Sequence, residues 1–179
     1  MTGNLFRDSR IQTQSMTMPL DTNPFPDDAE RHALWEMLVR RDIEAYLEAD
    51  WPAVADDFLA ETFFGLSGLK SANPDEWRMI FPRLDDYRDR WLSQAKLSAA
   101  TAYAEPRREA LYRITSLTEI DINGDRAVAH KKFDGTIAKA DGSTDSINWQ
   151  TLYLCNRING RWKIAGFVGY LPNPMGTAG

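Results

Sequence analysis

Asp42 is the side chain in this 179-residue chain whose placement most needs a chemical explanation. Wound as a helix, residues 28 to 49 put Trp35, Val39 and Tyr46 on one face, flanked by Leu38 and Ile43. Asp42 falls in the middle of that apolar face, where a carboxylate is costly unless something compensates it. One compensation is a pocket, which Asp42 would line as general acid or base toward a small apolar substrate. Another is an arginine, a hydroxyl or water reached at a helix kink. His130 is the second candidate, because imidazole is the usual proton shuttle near neutral pH. An Asp42–His130 pair across a pocket would supply both an acid and a base. On a strand, His130 shares a face with Val128, Lys132 and Asp134, while Ala129, Lys131 and Phe133 take the other. Alternation alone leaves open which face looks inward, and a lone strand histidine is as readily structural or solvated.

Aromatic residues supply candidate walls. Trp149 and Tyr153 alternate with Gln150 and Leu152 on one strand, and the Tyr153 phenol could orient a carbonyl. Tyr46, one turn beyond Asp42, could bring a hydroxyl near that carboxylate. Trp35 and Trp91 suit walls better than reagents. The bland reading of Trp149 and Tyr153, aromatics at strand period, is core packing. Neighbouring acids Asp56-Asp57 and Asp85-Asp86 invite a metal site, but adjacent helical residues point about 100° apart and cannot chelate together, so a solvated face is expected. No histidine–carboxylate spacing suggests a metal site, and phosphate-binding loops and nucleophile elbows are absent as well, so neither a metal nor a cofactor is expected. The single cysteine, Cys155, lies in an apolar run and reads as a small buried hydrophobe.

These residues need elements to hold them. Asp27 or Asp28 can cap a helix running to about Ala49, with Glu30 completing a capping box. Asp50 then caps a short second helix that buries Trp51, Val54, Phe58 and Leu59 and turns Asp56, Asp57 and Glu61 to water. Thr62–Leu66 suits a brief strand. Asn73-Pro74 opens a helical turn carrying Trp77 and Phe81. From Arg83 to about Thr101, the spacing of Leu84, Tyr87, Trp91 and Ala95 predicts an amphipathic helix with paired charges outside. Beyond Pro106, four long strands are expected: Leu111–Ile122, Arg126–Ile137, Ile147–Ile158 and Arg161–Leu171. Turns at Asn123-Gly124-Asp125, Asp141-Gly142-Ser143 and Asn159-Gly160 separate them. Helices followed by an antiparallel meander make an α+β domain with the helices covering one sheet face.

Composition bounds the rest. With 43% hydrophobic and 26% charged residues, the chain is an ordinary globular one, and a net charge of −5 argues against nucleic-acid or anionic-membrane partners. No stretch reaches the roughly 18 apolar residues of a membrane span. Residues 1–26 read as a flexible arm, 27–172 as one domain and 173–179 as a tail, in a reducing cytoplasmic setting. Apolar residues on both faces of the meander predict a homodimer through its outer face.

A helix followed by Ala49-Asp50-Trp51 and a second short helix ending in Phe58 resembles the opening of the nuclear-transport-factor-2-like superfamily. The closing Gly160-Arg161-Trp162-Lys163-Ile164-Ala165-Gly166-Phe167 is similar to its last strand, which often reads G-x-W-x-I. Across residues 28 to 172 the chain resembles the SnoaL-like branch. That resemblance implies a curved sheet wrapped into a cone around the helices, an apolar pocket at the open end, and dimerisation on the outer sheet face. Polyketide cyclases, steroid isomerases, dehydratases and epoxide hydrolases share this arrangement, alongside proteins that only bind or assemble. Against the ketosteroid isomerases, the first-helix tyrosine falls on Asp42 and the catalytic aspartate on Leu66. The two-histidine site of scytalone-dehydratase-like members has no counterpart, since His32 lies at the start of the first helix and only His130 in the sheet. The expected activity is therefore acid–base chemistry on a small hydrophobic molecule, with non-catalytic ligand binding or dimerisation as the alternative.

Overall fold

Asp28 opens the first helix, its Oδ1 accepting the Arg31 amide proton at 3.0 Å and so satisfying one donor that a helix start leaves free. In the computed structural model, which describes residues 19–176, α1 (Ala29–Trp35) continues through a π-helical segment (Glu36–Arg41) into α2 (Asp42–Glu48). Ala49 ends α2 in the left-handed region, at φ 53°. The short α3 (Pro52–Ala55) follows. Asp50 offers it a backbone carbonyl, 3.3 Å from the Ala53 amide, and not the side-chain cap expected from the sequence.

Two further helices complete the cover: α4 (Leu84–Ala100) and α5 (Arg107–Ile114). Of the expected arm, residues 1–18 lie outside the described residues. Residues 19–26 contact the helices: Asp21 pairs with Arg108 at 3.0 Å, and Phe25 packs against the core.

The sheet has six strands in the order β2-β1-β6-β5-β4-β3. They are β1 (Phe64–Ser67), β2 (Arg78–Phe81), β3 (Thr115–Asn123), β4 (Arg126–Ala138), β5 (Thr144–Ile158) and β6 (Arg161–Leu171). The meander β3-β4-β5-β6 is antiparallel throughout, as the turn residues predict. At the reversal from β5 to β6, Asn159 and Gly160 both take positive φ, 50° and 78°, the requirement of a two-residue type I′ hairpin turn. β1 runs parallel to β6 and antiparallel to β2, which makes the sheet mixed.

Two segments differ from the sequence expectation. Trp77–Phe81 is not a helical turn. Asn73-Pro74 starts only a 3₁₀ turn (Pro74–Glu76), and after Trp77 the residues Arg78–Phe81 are taken by edge pairing with β1. Leu111–Ile114 is not strand either. It finishes α5, where Tyr112 donates its hydroxyl to Glu44 Oε1 at 2.8 Å and Ala110 and Ile114 are buried. Long-range partners override local β propensity in the second case and helix signals in the first.

Bulges between Ser116 and Glu119, Gln150 and Leu152, and Leu154 and Cys155 bend the meander around the helices. Gly135 allows α5 to close on β4, because a Cβ there would lie 2.6 Å from Ile114 Cγ2. The core between the layers is aromatic. Trp51 stacks on Phe58 at 5.2 Å, and Tyr87 meets Phe63, Phe81 and Phe167 at 5.1–5.5 Å.

Candidate functional site

The π-helical segment ends at the residue before Asp42, and it changes which backbone groups are free. The Asp42 amide bonds to Val39 O rather than to its α-helical partner Leu38. The Leu38 carbonyl accepts instead from the Lys131 ammonium at 2.5 Å, and the same Nζ donates to Asp42 Oδ2 at 2.6 Å. Lys131 is fully buried, so its charge is balanced inside the protein by this one carboxylate. Among the described residues, Asp42 Oδ1 receives a single long bond, from Trp91 Nε1 at 3.3 Å, and retains capacity to accept another.

Asp42 and Lys131 form part of the lining of a cavity of about 280 Å³ between α2, α4, α5 and the inner sheet face. Its walls are aromatic and aliphatic, as small-molecule sites usually are. Tyr46, Trp91, Trp149 and Tyr153 all line it, and Tyr46 packs edge-on to Trp91 at 5.6 Å. Phe133, Trp149 and Tyr170 form a ring wall, with centroid spacings of 5.1 and 5.5 Å. The phenols around Asp42 hold their protons firmly. Desolvation pushes Tyr46 up to about 12 and raises Tyr87 and Tyr153 well above the usual range, and the Asp42 charge acts in the same direction on all three. They remain hydrogen-bond donors across the physiological range. Thr115 also lines the cavity, and its Oγ1 is buried without a hydrogen-bond partner among the described residues.

His130 is placed differently from the expected acid–base pair. Lys131 takes the inward face of β4, so strand alternation turns His130 to the outer face, where its Nδ1 lies 3.4 Å from Glu119 Oε2. It does not line the cavity, and the group that meets Asp42 is Lys131. Trp35 is core rather than wall, buried with the Arg40 guanidinium 5.2 Å from its ring centroid.

Asp57 is a further correction. Expected to face water, it is buried and accepts from Arg41 Nε at 2.6 Å and Arg161 Nη2 at 2.9 Å. Asp85 and Asp86 do form surface pairs, with Arg88 and Arg83. Cys155 is buried, its thiol pushed up to about 12 by desolvation, which makes it a poor nucleophile. Among the described residues, no three His, Cys, Asp or Glu side chains converge as a metal site requires. No described helix is long and apolar enough to cross a membrane.

Sequence reading missed Lys131, Tyr87, Arg90, Gln94, Thr115 and Tyr170 as lining residues. For Lys131 a signal existed: it shares a strand face with Ala129 and Phe133, an apolar setting in which lysine is as unusual as Asp42 on its helix.

No protein-family model matches the chain, and no curated protein matches it. Solved structures that it is similar to include an NTF2-like protein of unknown function from Shewanella baltica OS155, at 18% identity over 78% of this chain and 91% of that one, with a TM-score of 0.48. Another, from Silicibacter pomeroyi DSS-3, shows 18% identity over 76% and 91%, with a TM-score of 0.46. An NTF2-like superfamily protein from Salmonella enterica serovar Typhimurium LT2 shows 15% identity over 78% and 88%, with a TM-score of 0.48. The α+β fold of this chain rests on its own elements, a six-stranded mixed sheet with helices over one face.

Proposed function

We propose that this is an NTF2-like pocket protein of the SnoaL-like kind, which admits a small hydrophobic molecule and moves a proton on it through Asp42. One observation carries the reading: a carboxylate fastened from behind by a buried lysine, with its second oxygen available, lines a cavity that also holds proton-bearing phenols. Acceptor and donors in one apolar space suit a carbonyl compound. Asp42 Oδ1 would take a proton from the carbon beside the carbonyl. The C–H electron pair would move to the carbonyl oxygen, which a tyrosine hydroxyl would hold, and reprotonation would reverse the steps.

Hydrogen–deuterium exchange at C2 of 1-tetralone in D₂O, followed by NMR, tests this. The protein is expected to accelerate exchange, and Asp42→Asn to reduce the acceleration about 100-fold or more. Failure of the unmutated protein to accelerate exchange would remove the catalytic reading. A second reading, non-catalytic ligand binding, is favoured by the 2.6 Å ion pair itself, which already engages one of the two Asp42 oxygens.

The proposal extends to assembly. Opposite the cavity, Val128 pairs with Leu154 and Leu152 with Val168 across β4, β5 and β6, and all four are only half-buried. A second copy would cover this apolar patch. Light scattering should give twice the chain mass at micromolar concentration, and a monomer there would exclude the dimer.

A further inference from the structure

The mouth of the cavity differs from its interior in charge. Inside, Lys131 and Asp42 neutralise each other at 2.6 Å. At the rim, Arg90 projects from α4 with Gln94 one turn beyond, and both line the cavity. The other arginines of this stretch are engaged: Arg83 with Asp86 at 3.0 Å, and Arg88 with Asp85 and Asp89, each at 2.9 Å. Arg90 has no acidic group within ion-pair distance among the described residues. The cavity lining of a chain with net charge −5 thus carries one uncompensated positive charge, placed at the entrance.

The strand facing Arg90 is built irregularly. Leu152 pairs with Val168 but Gln150 pairs with Leu171, so β6 carries one extra residue at this end. Tyr170 sits in that bulge at φ 53°, a region bulky residues seldom occupy. The consequence is that Gly169 and Tyr170, adjacent in sequence, both line the cavity, which a regular strand would not permit. The bulge places the Tyr170 ring beside Trp149, with burial raising its phenol above the usual range and the Arg90 charge opposing that rise. Backbone strain retained at a cavity rim is characteristic of functional sites.

We propose that the molecule this cavity receives is an anion, a flat apolar ring compound bearing one carboxylate, with the carboxylate at the mouth against Arg90 and the Tyr170 hydroxyl. The ring lies along Phe133 and Trp149, and its far edge approaches Asp42. This inference rests on the pocket reading above and specifies the class of ligand. Guanidinium and phenol both donate to carboxylate oxygens, and the guanidinium bond is charge-assisted. A cavity of about 280 Å³ suits a compound of one or two rings.

Isothermal titration with 2-naphthoate and with its uncharged isostere 2-naphthamide, on the unmutated protein and on Arg90→Gln, tests the proposal. The expected result is that naphthoate binds about tenfold more tightly than naphthamide, and that Arg90→Gln weakens naphthoate the more and so removes this preference. Equal affinities in the unmutated protein, or a preference that survives Arg90→Gln, would overturn the anion assignment and leave the pocket reading intact. Binding of neither compound would overturn both. Arg90 is exposed, so circular dichroism of the variant should match that of the parent.

Discussion

Two aspartates, Asp42 and Asp57, are held by cations inside this protein, and their surroundings are opposite. Asp57 is sealed, its side chain 2% exposed, while its partners Arg41 and Arg161 are 40% and 51% exposed. At Asp42 the arrangement is reversed: the carboxylate is 32% exposed, through the cavity, and its partner Lys131 only 1%. Burial of the cation with exposure of the anion leaves a carboxylate oxygen facing the cavity. Burial of the anion beneath solvated cations makes a clamp, here joining the first helix, the residues after α3 and the start of β6. A charged pair in the interior is therefore not informative by its presence alone. What separates the two is which member reaches open space: the carboxylate at Asp42, the guanidinium groups at Asp57.

The comparison predicts an order of stability losses. Asp42→Asn should cost the most, about 3 kcal/mol in denaturant unfolding, because it leaves the Lys131 ammonium buried with neutral partners only. Asp57→Asn should cost less, about 1–2 kcal/mol, since both arginines can turn to water. Lys131→Met should cost about 1 kcal/mol, because methionine fills the space and water in the cavity can solvate the stranded carboxylate. Urea midpoints for the three variants would break the comparison if Asp57→Asn proved more damaging than Asp42→Asn. They would sharpen it if Lys131→Met lost less stability than either.

Sequence reading reached the parts of this molecule governed by neighbours along the chain. Asn159-Gly160 and its two companions set the hairpins because positive φ is a property of the residues themselves. Helical spacing placed Asp42 among apolar side chains, and strand spacing grouped Ala129, Lys131 and Phe133 on one face. Neither periodicity carries the sign that says which face looks inward, so His130 was paired with Asp42 when Lys131 holds that position. Asp57 failed for a similar reason: its partner Arg161 lies 104 residues further along the chain, at the start of the last strand. Trp77–Phe81 and Leu111–Ile114 changed type because edge pairing with β1 and packing onto α2 outweighed the local signals.

The chain by itself determined an α+β order of elements, the meander with its turns, an aromatic core and one acidic group on an apolar helix face, all products of residue conformation and short-range periodicity. Only the tertiary structure decided that β1 would join β6 in parallel, that a π-helical segment would turn the Leu38 carbonyl toward Lys131, and that Arg90 would line the cavity with no acidic partner among the described residues. Each of these joins residues distant in sequence, and their free energy exists only once the packing that brings them together has formed.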